Sequence, residues 1–266
     1  MDSQRNNYKK IFKKYKILIL GNGYLSRSIK KFCKDETKLF IHKKNTYMKK
    51  NYNKYLQKFI IENRINLIIN CVGKTYKNLD LYEYVYPNII LPLKILRWIE
   101  GKKILFIHFS STEELLINSY LISKLRPPKN LNYGLSKKII SLLLKKNKNN
   151  YIYELMLPSI YGGNFKSKNL YGNLTNKSKT YIKNPNNITN FINVSDFNNI
   201  FWLLISKYNF KKRYKFDYIS NNKPKSVKNF IIDQGLYKFA TFNSNQNKII
   251  DNSIYSNNKN IKDYFK

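Results

Sequence analysis

Short apolar runs, each followed by a stretch of helical periodicity, recur through the N-terminal half of the chain. KILIL (16–20) leads to a helical stretch at 24–34, and KLFIH (38–42) to one at 51–62. INLIINCVG (65–73) leads to residues 79–99, where Pro87 and Pro92 are expected to break or kink the helix. KILFIHFSS (103–111) precedes the helical NYGLSKKIISLLLKK (132–146), and YIYELML (151–157) follows. Brief unbroken apolar runs read as strands buried on both faces. Strands alternating with helices predict an α/β fold with a doubly wound parallel sheet and right-handed crossovers.

The organisation then changes. Residues 1–14 read as a basic tail and 15–158 as the α/β domain. Residues 159–266 read as mainly a second lobe, with some segments returning to the first domain. Residues 162–190 are loop-like. Helices are expected at 194–205, starting at Ser195 or Asp196, and at 225–234, starting near Ser226, with a strand at 213–220 between them. A length of 266 residues accommodates this plan.

The net charge of +35 raises nucleic-acid binding as a function. The residue usage points instead to a compositional bias. Lys, Asn, Ile and Tyr abound, Ala240 is the only alanine, and Lys is spread along the whole chain rather than clustered with Arg. A specific nucleic-acid partner is not expected. With 42% hydrophobic residues the chain can build a core despite its charge. Two cysteines, Cys33 and Cys71, and no signal-peptide pattern fit a reducing cytoplasm. No apolar stretch is long enough for a membrane span. His42 and His108 both lie in apolar runs and read as packed side chains, so neither a metal site nor a histidine triad is expected.

The first strand runs into GNGYLSRSI (21–29). Gly21 permits a tight turn, Gly23 allows a pyrophosphate to approach the backbone, and the helix N-terminus then faces the anion. Ser26 stands where a third glycine is usual. At the end of the second strand, Lys43 and Lys44 stand without an acidic residue, which leans to NADP over NAD.

Tyr133 and Lys137 are spaced one helical turn apart, but so are Tyr120/Lys124, Tyr208/Lys212 and Tyr255/Lys259. In a chain this rich in Tyr and Lys the spacing alone says nothing. Context separates them. Tyr133 and Lys137 start the helix after the fourth strand, whose end carries Ser111, Thr112, Glu113 and Glu114 at the edge where open α/β sheets bind ligands. Tyr120/Lys124 is followed at once by LRPP, and the last two pairs lie outside the alternating half. An ammonium about 4 Å from a phenol, at an effective dielectric near 20, favours phenolate by roughly 4 kcal/mol. Tyr133 would then serve as a general acid or base on a carbinol/ketone pair, with Thr112 holding the reacting oxygen.

These pieces in this order resemble the extended short-chain dehydrogenase/reductases, the NAD-dependent epimerase/dehydratase family. The likeness runs from about residue 16 to the tail. It rests on KILILGNGYLSRSI, INLIINCVGKT, YPNIILPLKIL with Asn88 at a structural Asn, FIHFSST, YGLSK, LPSIYGG and NFINVSDF. It implies a Rossmann-type domain with a small C-terminal substrate lobe. It implies NADP or NAD held by Gly21, Gly23, Tyr24, Leu25, Ser26, Lys43, Cys71, Val72, Gly73, Tyr133, Lys137 and Pro158. It implies catalysis by Thr112, Tyr133 and Lys137, with Glu113 and Glu114 as further candidates. A nucleotide-sugar substrate touching Thr112 and Ser159 follows from the same likeness, and a homodimer is compatible with it. The length and the NCVGKTYKNLD turn are most similar to 4-ketosugar reductases. SSTEEL resembles the 4,6-dehydratases, in which Glu114 would be the base. The alternatives are a 4-epimerase or 4,6-dehydratase with bound NAD, a non-catalytic dinucleotide-binding scaffold, and, last, a nucleic-acid binder. Ser26, Met156 and Ser159 depart from the family's usual Gly, Arg and Asn.

Overall fold

The structure is a computed structural model that describes residues 14–33, 37–40, 51–75, 79–117, 131–163, 170–244, 249 and 251–252. The chain divides into two compact units, with crossings after residues 156, 200 and 217.

The first unit is built on a six-stranded sheet. Its strands are β1 (Ile17–Leu20), β2 (Thr37–Phe40), β3 (Leu67–Asn70), β4 (Leu105–Ser111), β5 (Tyr151–Leu157) and β10 (Tyr214–Tyr218), in the order β10-β5-β4-β3-β1-β2. Strand β1 pairs in parallel with β2 (Ile17 opposite Thr37) and β3 (Ile17 opposite Leu67), and β3 with β4 (Leu67 opposite Leu105). Strands β1 and β3 are buried throughout and β4 in all but its last residue, as their unbroken apolar runs require. The chain leaves β1 for β2 on one side and returns to β3 on the other. The two ends therefore diverge between β1 and β3, which opens a crevice at the strands' carboxyl ends.

The intervening helices are α1 (Tyr24–Cys33), α2 (Tyr52–Glu62), α3 (Leu81–Val85), α4 (Leu91–Trp98) and α5 (Leu131–Lys146). On one face of the sheet, Leu18, Leu20, Ile68, Phe106 and Ile152 pack with Leu56 and Ile60 of α2, Ile95 of α4, and Ile140 and Leu144 of α5.

The prolines do not end the helix at 79–99. Helices α3 and α4 are joined by a π turn, Tyr86–Ile90, in which the Leu91 amide donates to the Tyr86 carbonyl. Pro87 has no N–H to leave unpaired. The extra residue in the wide turn relieves the clash that a proline ring makes with the preceding turn of an α-helix.

The segment after residue 200 returns to the first unit. Tyr208 is buried, stacks on Tyr153 and donates its hydroxyl to the Lys212 carbonyl. Tyr208/Lys212 therefore belongs to the α/β unit and not outside it, where it is a packing contact. Tyr120/Lys124 and Tyr255/Lys259 lie outside the described residues.

The second unit contains α6 (Leu170–Thr175), the start of α7 (Val194–Ser206) and α8 (Val227–Asp233). Small sheets pair β6 (Ser159–Tyr161) with β9 (Phe191–Asn193), β7 (Thr180–Ile182) with β12 (Ala240–Phe242), and β8 (Ile188–Thr189) with β11 (Lys225–Ser226) and β13 (Asp251–Asn252). The stretch at 162–190, expected to be loop-like with room for short helices, holds one short helix and also two strands. Its core centres on Phe230, stacked on Phe191 with ring centroids 3.9 Å apart. Ser226 caps α8 as expected, accepting from the Asn229 amide at 3.1 Å. Helix α7 begins at Val194 as expected and runs one residue further, to Ser206. Asn193 Oδ1, which accepts from the Ser195 amide and hydroxyl, takes the capping part assigned to Ser195 or Asp196.

Gly134 fixes how α5 meets a helical turn at 113–117. A Cβ there would stand 2.8 Å from the Glu113 carbonyl oxygen and 3.0 Å from two Ile117 side-chain carbons. Alanine in place of glycine gains about 1 kcal/mol of helix propensity. Overpacking against a backbone atom costs about 1–3 kcal/mol. Gly134→Ala is therefore expected to lower stability by up to about 2 kcal/mol, measured by urea unfolding. An unchanged midpoint would show that the turn yields freely.

Candidate active site

The loop after β1 and the turn after β3 meet at the crevice. Gly21 adopts φ +108°, open to glycine and costly for other residues, and a Cβ there would lie 3.0 Å from the Cys71 carbonyl oxygen. Gly23 is exposed, with open space where its Cβ would be. Ser26 fills the third-glycine place with a fully buried side chain whose hydroxyl donates to the Gly23 carbonyl at 3.0 Å. Tyr24 and Leu25 are half-buried at the start of α1. These residues fit a dinucleotide: a glycine cradle, open backbone at Gly23 and the N-terminus of a ten-residue helix.

The 71–74 turn is held by Asn88, which sits in the π turn with no exposed surface. Its Oδ1 accepts from the Lys74 amide at 2.9 Å. Its Nδ2 donates to the Lys74 carbonyl at 3.2 Å and to the Ser136 hydroxyl at 2.9 Å. One side chain thus joins the β3 turn to α5. A Cβ on Gly73 would fall 3.1 Å from Asn88 Oδ1 and 4.0 Å from Lys137 Nζ, which places Gly73 beside the lysine.

Lys137 is buried, and its ammonium donates to the Phe109 carbonyl of β4 at 2.7 Å. Burial pulls its pKa down to about 8, against the pull of Glu154, Glu114 and Cys71 in the opposite direction. Tyr133 is half-buried, its ring 6.0 Å from that of Tyr84. Burial pushes its phenol up, a hydrogen bond with the Ser111 side chain lowers it, and Glu113, Tyr84 and Glu114 raise it further. The expectation that Lys137 drives Tyr133 toward phenolate is thus corrected. The ammonium is engaged by a backbone carbonyl, and desolvation dominates at the phenol. Sequence reading also chose Thr112 as the hydroxyl. Thr112 is buried just past the end of β4, and Ser111 beside it is half-buried.

A polar cluster lies behind these residues, on the sheet face that carries Ile68, Phe106 and Ile152. Two residues further along each strand come Asn70, His108 and Glu154, because alternate side chains share a face. Asn70 Nδ2 donates to His108 Nδ1 at 3.4 Å, which puts the ring proton on Nε2, where it meets no acceptor among the described residues. Burial, reinforced by Lys137, holds His108 well below its usual pKa, so it stays neutral. Ser110 donates to Glu114 Oε2 at 2.7 Å, and Tyr214 of β10 donates to Glu154 Oε2 at 2.6 Å. Glu154 and Tyr214 were missed by sequence reading. The available signal was a carboxylate inside the apolar run YIYELML.

Lys43 lies outside the described residues. Pro158 and Ser159 belong to the second unit, Pro158 buried and Ser159 exposed at the start of β6. Cys71 and Val72 are half-buried in the β3 turn.

The parallel sheet, the glycine cradle at its switch point and the Tyr-Lys helix define a Rossmann-type fold. Residues 17–218 match the NAD dependent epimerase/dehydratase family, and the chain belongs to that family. No curated protein matches by sequence. Among solved structures, a dTDP-4-dehydrorhamnose reductase from Clostridium acetobutylicum is similar, with a TM-score of 0.66 at 17% identity over 89% of each chain. GDP-mannoheptose C4 reductase from Campylobacter jejuni, with NADP bound, has a TM-score of 0.66 at 12% identity, over 89% of this chain and 90% of that one. The Bordetella bronchiseptica enzyme WbmG, in complex with NAD and UDP, has a TM-score of 0.63 at 14% identity, over 90% and 85%. No helix among the described residues is long and apolar enough to cross a membrane.

Burial pushes Glu114 up to about 7 from 4.5, with Ser110 and the nearby lysines opposing and Glu154 reinforcing. The folded state therefore holds the extra proton between these values. Stability from this group is full below about pH 4.5 and is lost as pH rises through 7. Glu114→Gln has no proton to lose. On going from acid to pH 8, it should gain on the wild type by up to about 3 kcal/mol in denaturant unfolding. Parallel pH curves for the two proteins would mean that Glu114 is already ionised in the fold.

Proposed function

We propose that the protein is an NAD(P)-dependent nucleotide-sugar oxidoreductase that reduces a 4-keto group. The observation that carries this reading is the helix start at α5. It places Tyr133 and Lys137 one turn apart against the end of β4 and beside the Gly73 turn. Family membership and the likeness to reductases acting on sugar nucleotides support it. Gly21, Gly23 and Ser26 would hold the pyrophosphate, and Lys137 the ribose next to the nicotinamide. NADP is favoured over NAD by Lys43 and Lys44. The dinucleotide, when bound, supplies the hydride. The chain's own part is the proton. Burial keeps the Tyr133 phenol protonated, which suits the reducing direction, where the carbonyl oxygen must receive a proton. Ser111 and Thr112, at the end of β4, would orient the oxygen.

A dehydratase needs a free acid and base pair next to the tyrosine. Glu114 is buried on Ser110, and only Glu113 of the two remains half-exposed near the phenol, so the reductase reading is preferred. A cytoplasmic enzyme able to pair as a homodimer is the reading compatible with the cysteine usage and the family.

The wild type is expected to oxidise NADPH or NADH with a 4-keto nucleotide sugar. Tyr133→Phe should lose about 100-fold or more in turnover while still binding the dinucleotide. An epimerase or dehydratase would give product with no net dinucleotide consumption. Equal turnover by Tyr133→Phe would remove the phenol from the reaction.

A further inference from the structure

Among the described residues, Lys137 is the only buried lysine or arginine, and Glu114 and Glu154 are the only buried acids. All three belong to one cluster. Glu154 lies in the middle of β5 with no exposed surface, in a strand otherwise composed of Tyr, Ile, Leu and Met. Tyr214 reaches it from β10 at 2.6 Å. Ser110 of β4 bonds Glu114 at 2.7 Å, while Glu154 Oε1 is buried with no hydrogen-bond partner among the described residues. From α5 comes Lys137, its ammonium fixed on the Phe109 carbonyl at 2.7 Å. His108 of β4, Cys71 after β3 and Lys138 of α5 complete the titratable groups around the cluster. His108 is neutral, and burial pushes the Cys71 thiol up, so neither offers a counter-charge. A buried carboxylate is costly unless it is paired and hydrogen-bonded, and so is a buried ammonium. The reduction proposed above assigns Glu154 no part.

We propose that Glu154 is a positioning residue for Lys137, supplying with Glu114 the buried counter-charge that keeps the lysine charged where the dinucleotide ribose binds. The proposal rests on the reading of Lys137 as the lysine of a dinucleotide site. Burial pulls Lys137 down to about 8, with Glu154 the first of the groups holding it up. Burial raises both carboxyls, and the one buried lysine is the cation that draws them back down.

The test needs no dinucleotide. An unfolded lysine titrates near about 10.4. From about pH 8 upward the unfolded chain then holds the extra proton, and stability rises with pH. Subtracting the pH profile of Lys137→Met isolates this rise from the other lysines. In Glu154→Gln the onset should fall by about one pH unit, and Glu154→Asp should restore it. An onset unmoved by Glu154→Gln overturns the proposal. So does a chain that folds with neither Gln nor Asp at 154, since the carboxylate would then serve the core. Dinucleotide titration gives a second readout. Glu154→Gln should weaken NADPH or NADH binding about fivefold near pH 8 and leave it nearly unchanged near pH 6, with no further effect in the Lys137→Met background. If the wild type binds neither dinucleotide, the functional reading fails, while the onset of the stability rise still decides the Glu154–Lys137 pairing.

Discussion

The side-chain amide of Asn88 holds the functional half of the first unit together. It is completely buried and makes three hydrogen bonds, two to the backbone of Lys74 and one to Ser136. A loop that leaves a sheet edge needs partners for its peptide groups. Here one amide provides them and also ties the loop to the helix that carries Tyr133 and Lys137. Its reach depends on the π turn at Tyr86–Ile90, which interrupts the α-helical register at that place. The two prolines that looked like helix breakers flank Asn88 at a distance of one and four residues. They mark the irregularity that the site uses.

Around this tie the site is layered. The glycine cradle at Gly21 and the Cys71–Gly73 turn form one wall because the strand order reverses between β1 and β3. Tyr133 and Lys137 come from α5, whose approach is set by the missing side chain at Gly134. Behind them, the sheet face changes from apolar to polar over two residues in β3, β4 and β5. The change exchanges packing for charge where three buried ionisable groups can compensate one another. A lysine in this setting is sensitive to its neighbours in a way that an exposed lysine of the same chain is not.

The enzyme reading and the excess of positive charge are separate matters. The proposed catalytic side chains Thr112, Tyr133 and Lys137 are buried or half-buried, and of the many lysines in the chain only Lys137 among the described residues is buried. Bulk charge gives a diffuse attraction for polyanions, nucleotide sugars and dinucleotides among them. It does not choose among them.

Much of this was legible from the residues. Short unbroken runs such as KILIL and INLII, bounded by turn residues, read as strands buried on both faces, and with helices between them they point to a parallel sheet. The order of GNG, SST and YGLSK along that pattern was enough to single out Tyr133 from three look-alike pairs. What the sequence could not determine depends on distance between segments far apart in the chain. That Lys137 rests on the Phe109 carbonyl follows from how α5 packs on β4. That Glu154 matters at all follows from the sheet order, which sets β5 between Ser110 of one strand and Tyr214 of the other. Periodicity assigns a residue to a face. Only tertiary packing decides which charges share that face, and burial then makes their mutual distance count.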